Sequence, residues 1–262
     1  MLKVKNLWFK HRSSQDWTLK DISFEATPGE VTVILGANGS GKSTLFKCIS
    51  GIWKPQKGSI FFRNEEINSL KQEKRILFFS MVPQDHTPPF NYSVEDVVLT
   101  GRARYIDLFS TPGEKDLKKV SEVIEFLGLT YLRKLPYTMI SGGERQLALI
   151  ARALAQEAPI MLLDEPTSHL DFKNQVEVLK KVKLIAKKQG LTTLITLHDP
   201  NHALAFADKV VLLKSGEVFA EGSPREIITS ENLEKIYQVK VNIYETNGKR
   251  FVYPVLNEGG ER

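Results

Sequence analysis

Apolar and polar residues alternate over Leu2–Phe9 and again over 19–25, the period of strands with one buried face. Thr27-Pro28-Gly29-Glu30 makes a turn. Val31–Leu35 is continuously apolar, as in a strand at the centre of a sheet. A loop, a helix from about Lys42 to Gly51 and a strand over 58–63 follow. Between 88 and 140 the period becomes helical. Residues 93–105, Glu114–Leu127 and 131–135 read as helices, punctuated by Pro88-Pro89, Pro112-Gly113 and Gly128. In the second of them Leu117, Val120, Val123, Ile124 and Leu127 share one face.

From Gly143 onward helices and strands take turns. A helix carrying Leu147, Ile150, Ala151 and Leu154 on one side precedes strand Ile160–Leu163, a helix over 174–189, strand Thr192–Leu197, a helix over 201–207 and a strand over 209–213. Such alternation predicts a parallel sheet covered by helices. The turn Lys214-Ser215-Gly216-Glu217 leads into a strand over 218–220, and 224–237 reads as one helix. Residues 239–244 and 250–255, joined by Thr246-Asn247-Gly248-Lys249, read as a terminal hairpin. The expected fold is a single α/β domain with a mostly parallel sheet. Its core comprises 1–87, including an N-terminal antiparallel β region, and 141–238; a helical subdomain covers 88–140, and a hairpin and tail cover 239–262.

Composition narrows the class further. With 42% hydrophobic and 26% charged residues, 262 residues suffice for a full core. No apolar run approaches the roughly 20 residues of a membrane-spanning helix. Met1-Leu2-Lys3-Val4-Lys5 alternates like a strand and lacks a signal-peptide apolar region. The single cysteine, Cys48, excludes an internal disulfide and fits a reducing compartment, so the chain is expected in the cytoplasm. Net charge is +5 and the isoelectric point near 9.1. That balance suits nucleic acid or an anionic membrane face, but no basic cluster dominates, and a Lys-rich surface accounts for it.

The chemistry is concentrated at strand ends. Gly36-Ala37-Asn38-Gly39-Ser40-Gly41-Lys42-Ser43-Thr44 follows an apolar strand and opens a helix, the required context of a phosphate-binding loop. Backbone N–H groups there curl around phosphate oxygens, Lys42 reaches the β/γ-phosphates, and Ser43 offers its hydroxyl to Mg²⁺. The strand ending Met161-Leu162-Leu163 delivers Asp164 and Glu165. Asp164 is placed to hold Mg²⁺ through water and Glu165 to activate the attacking water, although carboxylates also gather at helix starts for electrostatic reasons. Gln84 follows the apolar stretch 78–82 and Pro83; it is either an Mg²⁺ or water contact or a turn residue. His198 ends a strand before Asp199-Pro200 and is either a γ-phosphate contact or a turn residue. Ser141-Gly142-Gly143-Glu144 opens a second helix behind two glycines, another anion-seeking backbone. His86, His169 and His202 match no zinc spacing and read as structural or surface residues, and Cys48 reads as core filler.

Taken in order, these motifs resemble the ATP-binding subunit of ABC transporters over nearly the whole chain. The matching parts are Gly41-Lys42-Ser43-Thr44, Val82-Pro83-Gln84, Ser141-Gly142-Gly143-Glu144, Asp164-Glu165, Ser168-His169-Leu170-Asp171 and His198. The resemblance implies a P-loop NTPase core using ATP and Mg²⁺. Two copies would face head to tail and sandwich two ATP molecules, each on one copy's phosphate loop and under the other's Ser141, Gly142, Gly143 and Glu144. Asp171 would couple the two sites. Residues 88–140 and the Gln84 loop would touch a polytopic permease, served in turn by an extracytoplasmic substrate-binding protein. The chain would then lie on the inner face of the cell membrane.

Val97-Val98-Leu99-Thr100-Gly101-Arg102 and Tyr105 are similar to the subgroup that imports iron–siderophore complexes, haem and cobalamin, some of whose relatives carry molybdate or tungstate. A soluble ABC ATPase not tied to transport is the alternative. The chain departs from the pattern in places. The position where the family stacks an aromatic on adenine falls on His11, with Trp17 as a substitute. Leu147 stands where the subgroup has Arg, and Pro200 and His202 replace apolar residues.

Overall fold

The structure, a computed structural model, describes residues 1–12, 14–84, 91–107 and 110–255. His86, Pro88, Pro89 and the tail past 255 lie outside the described residues. The chain opens with β1 (Leu2–Phe9), β2 (Leu19–Ala26) and β3 (Val31–Leu35), then α1 (Lys42–Ile49), β4 (Lys57–Phe62), the two-residue β5 (Glu65–Glu66), the single turn α2 (Gln72–Arg75) and β6 (Phe79–Val82). The middle is helical, with α3 (Val94–Leu99), α4 (Glu114–Leu127) and α5 (Gly142–Ala155). Then come β7 (Ile160–Leu163), α6 (Phe172–Gln189), β8 (Thr192–Leu197), α7 (Pro200–Phe206), β9 (Lys209–Lys214) and β10 (Glu217–Gly222). Two short helices, α8 (Pro224–Ile227) and α9 (Ser230–Tyr237), precede the hairpin β11 (Val241–Thr246) and β12 (Lys249–Pro254).

Six strands form the central sheet in the order β10-β9-β3-β8-β7-β6, parallel except for the edge strand β10. The inner strands β3, β7 and β8 are buried on both faces, so their apolar runs divide by parity. Val33 and Leu35, Met161 and Leu163, Ile195 and Leu197 join the core under the helices. Ile34, Ile160, Leu162 and Leu194 join a second core with α1 and the antiparallel sheet β2-β1-β4-β5. This period of two explains why the sequence shows continuous apolar strands and no alternation here. It also fixes the functional geometry. The carboxyl ends of the parallel strands β6, β7, β8 and β3 deliver Gln84, Asp164 and Glu165, His198, and Gly36 to one rim of the sheet, where open α/β sheets bind ligands.

Three expected helices differ. Residues 93–105 divide into α3 and a 3-10 stretch, Thr100–Tyr105. The change occurs where Gly101 meets α5: a Cβ there would collide with the Arg152 carbonyl oxygen. Residues 131–135 make only a 3-10 turn, Thr130–Leu132. The carbonyls of Arg133 and Leu135 accept the amides of Glu95 and Val94 at the start of α3, and Pro136 biases the preceding residue away from helix. The expected helix 224–237 breaks after Ile227 because the Thr229 hydroxyl accepts from the Asn232 amide and starts α9 afresh. On α4, Leu117 is exposed, whereas Asp116 turns inward to Arg102.

Arg102 explains the Gly101-Arg102 pair. Its Nε donates to Asp116 Oδ1 at 3.0 Å and its Nη1 to the Ala155 carbonyl at 2.7 Å, with Glu157 Oε2 at 2.6 Å. Tyr105 donates to the Gln156 carbonyl at 3.1 Å. A buried guanidinium thus sits on the negative end of α5, the favourable end of the helix dipole. It is paired twice, which a charge this deep requires.

Candidate active site

The phosphate loop joins the end of β3 to α1. Gly41, the N-cap residue, adopts φ 103°, and a Cβ there would lie 2.8 Å from Leu19 Cδ2 and 3.3 Å from the Thr18 carbonyl oxygen. Conformation and crowding both demand glycine. No side chain caps α1 and no acidic residue stands in its first turn, so its leading N–H groups and positive dipole end face the rim. Lys42 is 5% exposed. Its ammonium donates to the carbonyls of Gly36 (2.9 Å) and Ala37 (3.2 Å). Burial pulls its pKa below that of a free lysine, and the carboxylates of Glu165 and Asp164 oppose the shift.

Across the rim, Asp164 Oδ1 accepts the Ser43 hydroxyl at 3.3 Å and the Thr196 hydroxyl at 2.8 Å. The same Thr196 oxygen accepts the Glu165 amide at 2.7 Å. One buried hydroxyl on β8 therefore aligns both carboxylate residues that follow β7. Glu165 has φ 49°, a left-handed conformation that costs a non-glycine residue roughly 1–2 kcal/mol. Its side chain is 11% exposed and receives His198 Nε2 at 2.5 Å and the Ser168 hydroxyl at 3.3 Å. Gln84 stands exposed past β6, two residues from Val82, whose carbonyl accepts the Asp164 amide. The rim thus gathers Lys42, Ser43, Asp164, Glu165 and His198 into one connected set. Thr196 is the member that sequence reasoning missed; β8 also carries Thr192 and Thr193, so its hydroxyl did not stand out.

The second anion-seeking start lies elsewhere. Ser141 N-caps α5: its hydroxyl accepts the Glu144 amide at 3.4 Å, and Glu144 Oε2 accepts the Ser141 amide at 2.8 Å. Tyr131 donates to Glu144 Oε1 at 2.7 Å. Hydrogen bonds from Ser141 and then Tyr131 hold the Glu144 carboxyl below the usual carboxylate range. Ser141, Gly143 and Glu144 line a cleft of about 690 Å³ with Asp171 and Asn174, and no residue of 36–44 lines it. Asp171 caps α6 by accepting the Asn174 amide at 2.8 Å.

The two adenine-stacking candidates separate. His11 packs edge-on against Phe9 and Trp53, centroids 5.1 and 4.8 Å away, and Trp53 follows the C-terminal end of α1. Trp17 packs edge-on against Trp8 at 5.3 Å and precedes Thr18, which touches Gly41 at the other end of α1. No group of three or more metal-ligating His, Cys, Asp or Glu occurs among the described residues, and Cys48 is buried.

Fold and site together define a P-loop ATPase in which the rim beside the phosphate loop and the second glycine turn are separate surfaces. The model of the ABC transporter family matches residues 19–168, and the chain belongs to that family; it is an ATP-hydrolysing transporter subunit. It is 39% identical over 254 residues to a Helicobacter pylori protein named "Probable iron chelatin transport ATP-binding protein", covering 97% of this chain and 99% of the relative. It is also 39% identical over 238 residues to the molybdate import ATP-binding protein MolC of Haemophilus influenzae, covering 91% and 88%. Among solved structures, a transporter described as of metal-chelate type, in an inward-facing conformation, matches with a TM-score of 0.85 at 36% identity, covering 98% of both chains.

Proposed function

We propose that the chain powers an importer of metal chelates, iron chelates first, through a dimer that closes on two ATP molecules. The observation that carries this reading is the near-complete, end-to-end similarity to the iron chelatin relative and the metal-chelate type structure. The equal identity to the molybdate protein favours an oxyanion as the second reading.

In this reading the α1 amides and Lys42 bind the phosphates; two of the three ammonium donors hold the loop and the third is left for a phosphate oxygen. Glu165 takes the proton of the attacking water, and His198 orients Glu165 and the γ-phosphate. Ser43, Asp164 and Gln84 present hard oxygen donors that suit Mg²⁺. Mg²⁺ held there would neutralise charge on the phosphate oxygens. The cleft beside Ser141 and Asp171 would receive the partner copy's nucleotide.

The permease would dock at a separate groove, which shares no lining residue with that cleft. A groove of about 330 Å³ runs between Ile52, Ile76, Met81, Ala103 and Arg104, and Ile52, Ile76, Leu77 and Tyr105 are exposed around it. Exposed apolar side chains clustered at a groove suit an interface. No helix among the described residues is long and apolar enough to cross a membrane, so the chain would reach the inner face of the membrane through this contact.

Co-purification tests the assignment. The chain should retain a polytopic permease, and Ile76→Glu should reduce that recovery by roughly tenfold or more while the isolated chain keeps its ATP affinity. ATPase of the complex should rise with a binding protein loaded with ferric siderophore; a rise only with molybdate moves the cargo to the second reading, and recovery unaffected by Ile76→Glu rejects the groove. A separate measurement settles the adenine contact. Trp17→Ala should weaken ATP binding by roughly tenfold, as loss of one base stack does, and His11→Ala by less than about threefold. The reverse order would assign the stack to His11.

A further inference from the structure

His198 and Gly36 lead out of the ends of paired strands, because Leu35 is opposite Leu197 in the parallel ladder. A third element joins them. Tyr237, the last residue of α9, donates its hydroxyl to the His198 carbonyl at 3.3 Å, and the Gly36 backbone acts electrostatically on the same phenol, opposing the effect of burial. Burial pushes this phenol up to about 12, so it remains a neutral donor across physiological pH. One hydroxyl thus holds the backbone of the histidine that touches Glu165, beside the first residue of the phosphate loop.

The other side of the histidine loop is held as well. Asp199 caps α7 by accepting the Asn201 amide at 2.7 Å. The Asn201 carboxamide then pairs with the C-terminal hairpin: its Oδ1 accepts the Val252 amide at 2.7 Å, and its Nδ2 donates to the Val252 carbonyl at 3.3 Å. Both bonds go to one residue of β12, as a neighbouring strand would make them. Leu233, Val241, Val252 and Pro254 line a cleft of about 270 Å³ with His198 and Asn201. The segment 223–255 is therefore fastened beside the histidine loop at two points.

We propose that Tyr237 is a positioning residue for ATP hydrolysis, fixing the His198 backbone and so His198 against Glu165, and that Asn201 and the terminal hairpin complete the clamp. The inference rests on the reading of His198 as a contact of Glu165 and the γ-phosphate. A loop residue carrying one side of a catalytic pair needs its backbone fixed, because a shift near 1 Å can cost on the order of a hundredfold in rate.

The test is a kinetic cycle on the full chain under conditions where the wild type hydrolyses ATP. Tyr237→Phe keeps the ring and removes the hydroxyl. It should lower kcat by roughly fivefold to tenfold, with KM for ATP within about twofold. The melting temperature should stay within about 2 °C. Asn201→Ala should act in the same direction. In a His198→Ala background Tyr237→Phe should lower kcat no further, since both changes disable one device. An equal further loss there would mean that the hydroxyl acts elsewhere and would overturn the proposal, as would an unchanged kcat in Tyr237→Phe. If His198→Ala itself leaves kcat unchanged, the underlying reading of His198 fails; if His198→Ala is impaired and Tyr237→Phe is not, only the clamp fails.

Discussion

Glu165→Gln is expected to lower kcat by roughly a thousandfold while ATP affinity stays within about twofold. The amide has the shape of the carboxylate and can still accept the His198 Nε2 hydrogen, now 2.5 Å away. The left-handed backbone, pinned by the Glu165 amide on Thr196, is untouched. Only the capacity to take a proton is lost. Binding depends on Lys42 and the α1 amides, so nucleotide should still load. A subunit that binds ATP and cannot cleave it should collect in the closed state, read as a dimer by size-exclusion chromatography with Mg-ATP and dispersed by ADP. Hydrolysis at the native rate would remove Glu165 from the reaction, and a variant that no longer binds ATP would show that the carboxylate is structural.

That experiment addresses a residue legible in the sequence, and the reason is instructive. Gly36 through Thr44 and Asp164-Glu165 are contiguous, and each follows an apolar strand whose end must open on the rim of the sheet. Thr196 was not legible, because threonine is at home in any strand. Its role comes from the β7–β8 register, which sets Leu163 beside Ile195 and so brings Thr196 to the two carboxylates. Tyr237 was hidden for the same reason: it lies 39 residues from His198 and meets it only after α9 folds back. The helical region was read in outline and not in detail. Leu117 obeyed the helical period, yet the Arg102–Asp116 pair settles which face of α4 turns inward. The apparent helix 224–237 lost continuity to Thr229, whose capping hydroxyl competes locally with the helix.

Ser141→Arg should leave ATP binding by the isolated chain within about twofold and abolish ATP-dependent dimerisation, lowering turnover by roughly a hundredfold or more. The two expectations follow from the separation of the surfaces. The cleft at Ser141 shares no residue with the phosphate loop, so arginine there has no route to the nucleotide its own subunit binds. In the proposed head-to-tail dimer, however, the same Ser141 would face the partner's γ-phosphate. Ser141 is exposed at the start of α5, and its place there is taken by bonds that use only its own amide and hydroxyl with Glu144. Arginine keeps the amide, which can still donate to Glu144, but loses the cap on the Glu144 amide, a loss of roughly 1 kcal/mol. Folding should therefore survive while closure fails, because a long side chain occupies the space between the copies. Mixing the variant with an otherwise native Lys42→Ala chain sharpens the result. Each mixed dimer holds one site combining an intact phosphate loop with an intact second turn only if the turn acts across the dimer. Partial recovery of turnover on mixing is then expected, and none if Ser141 serves its own subunit's ATP.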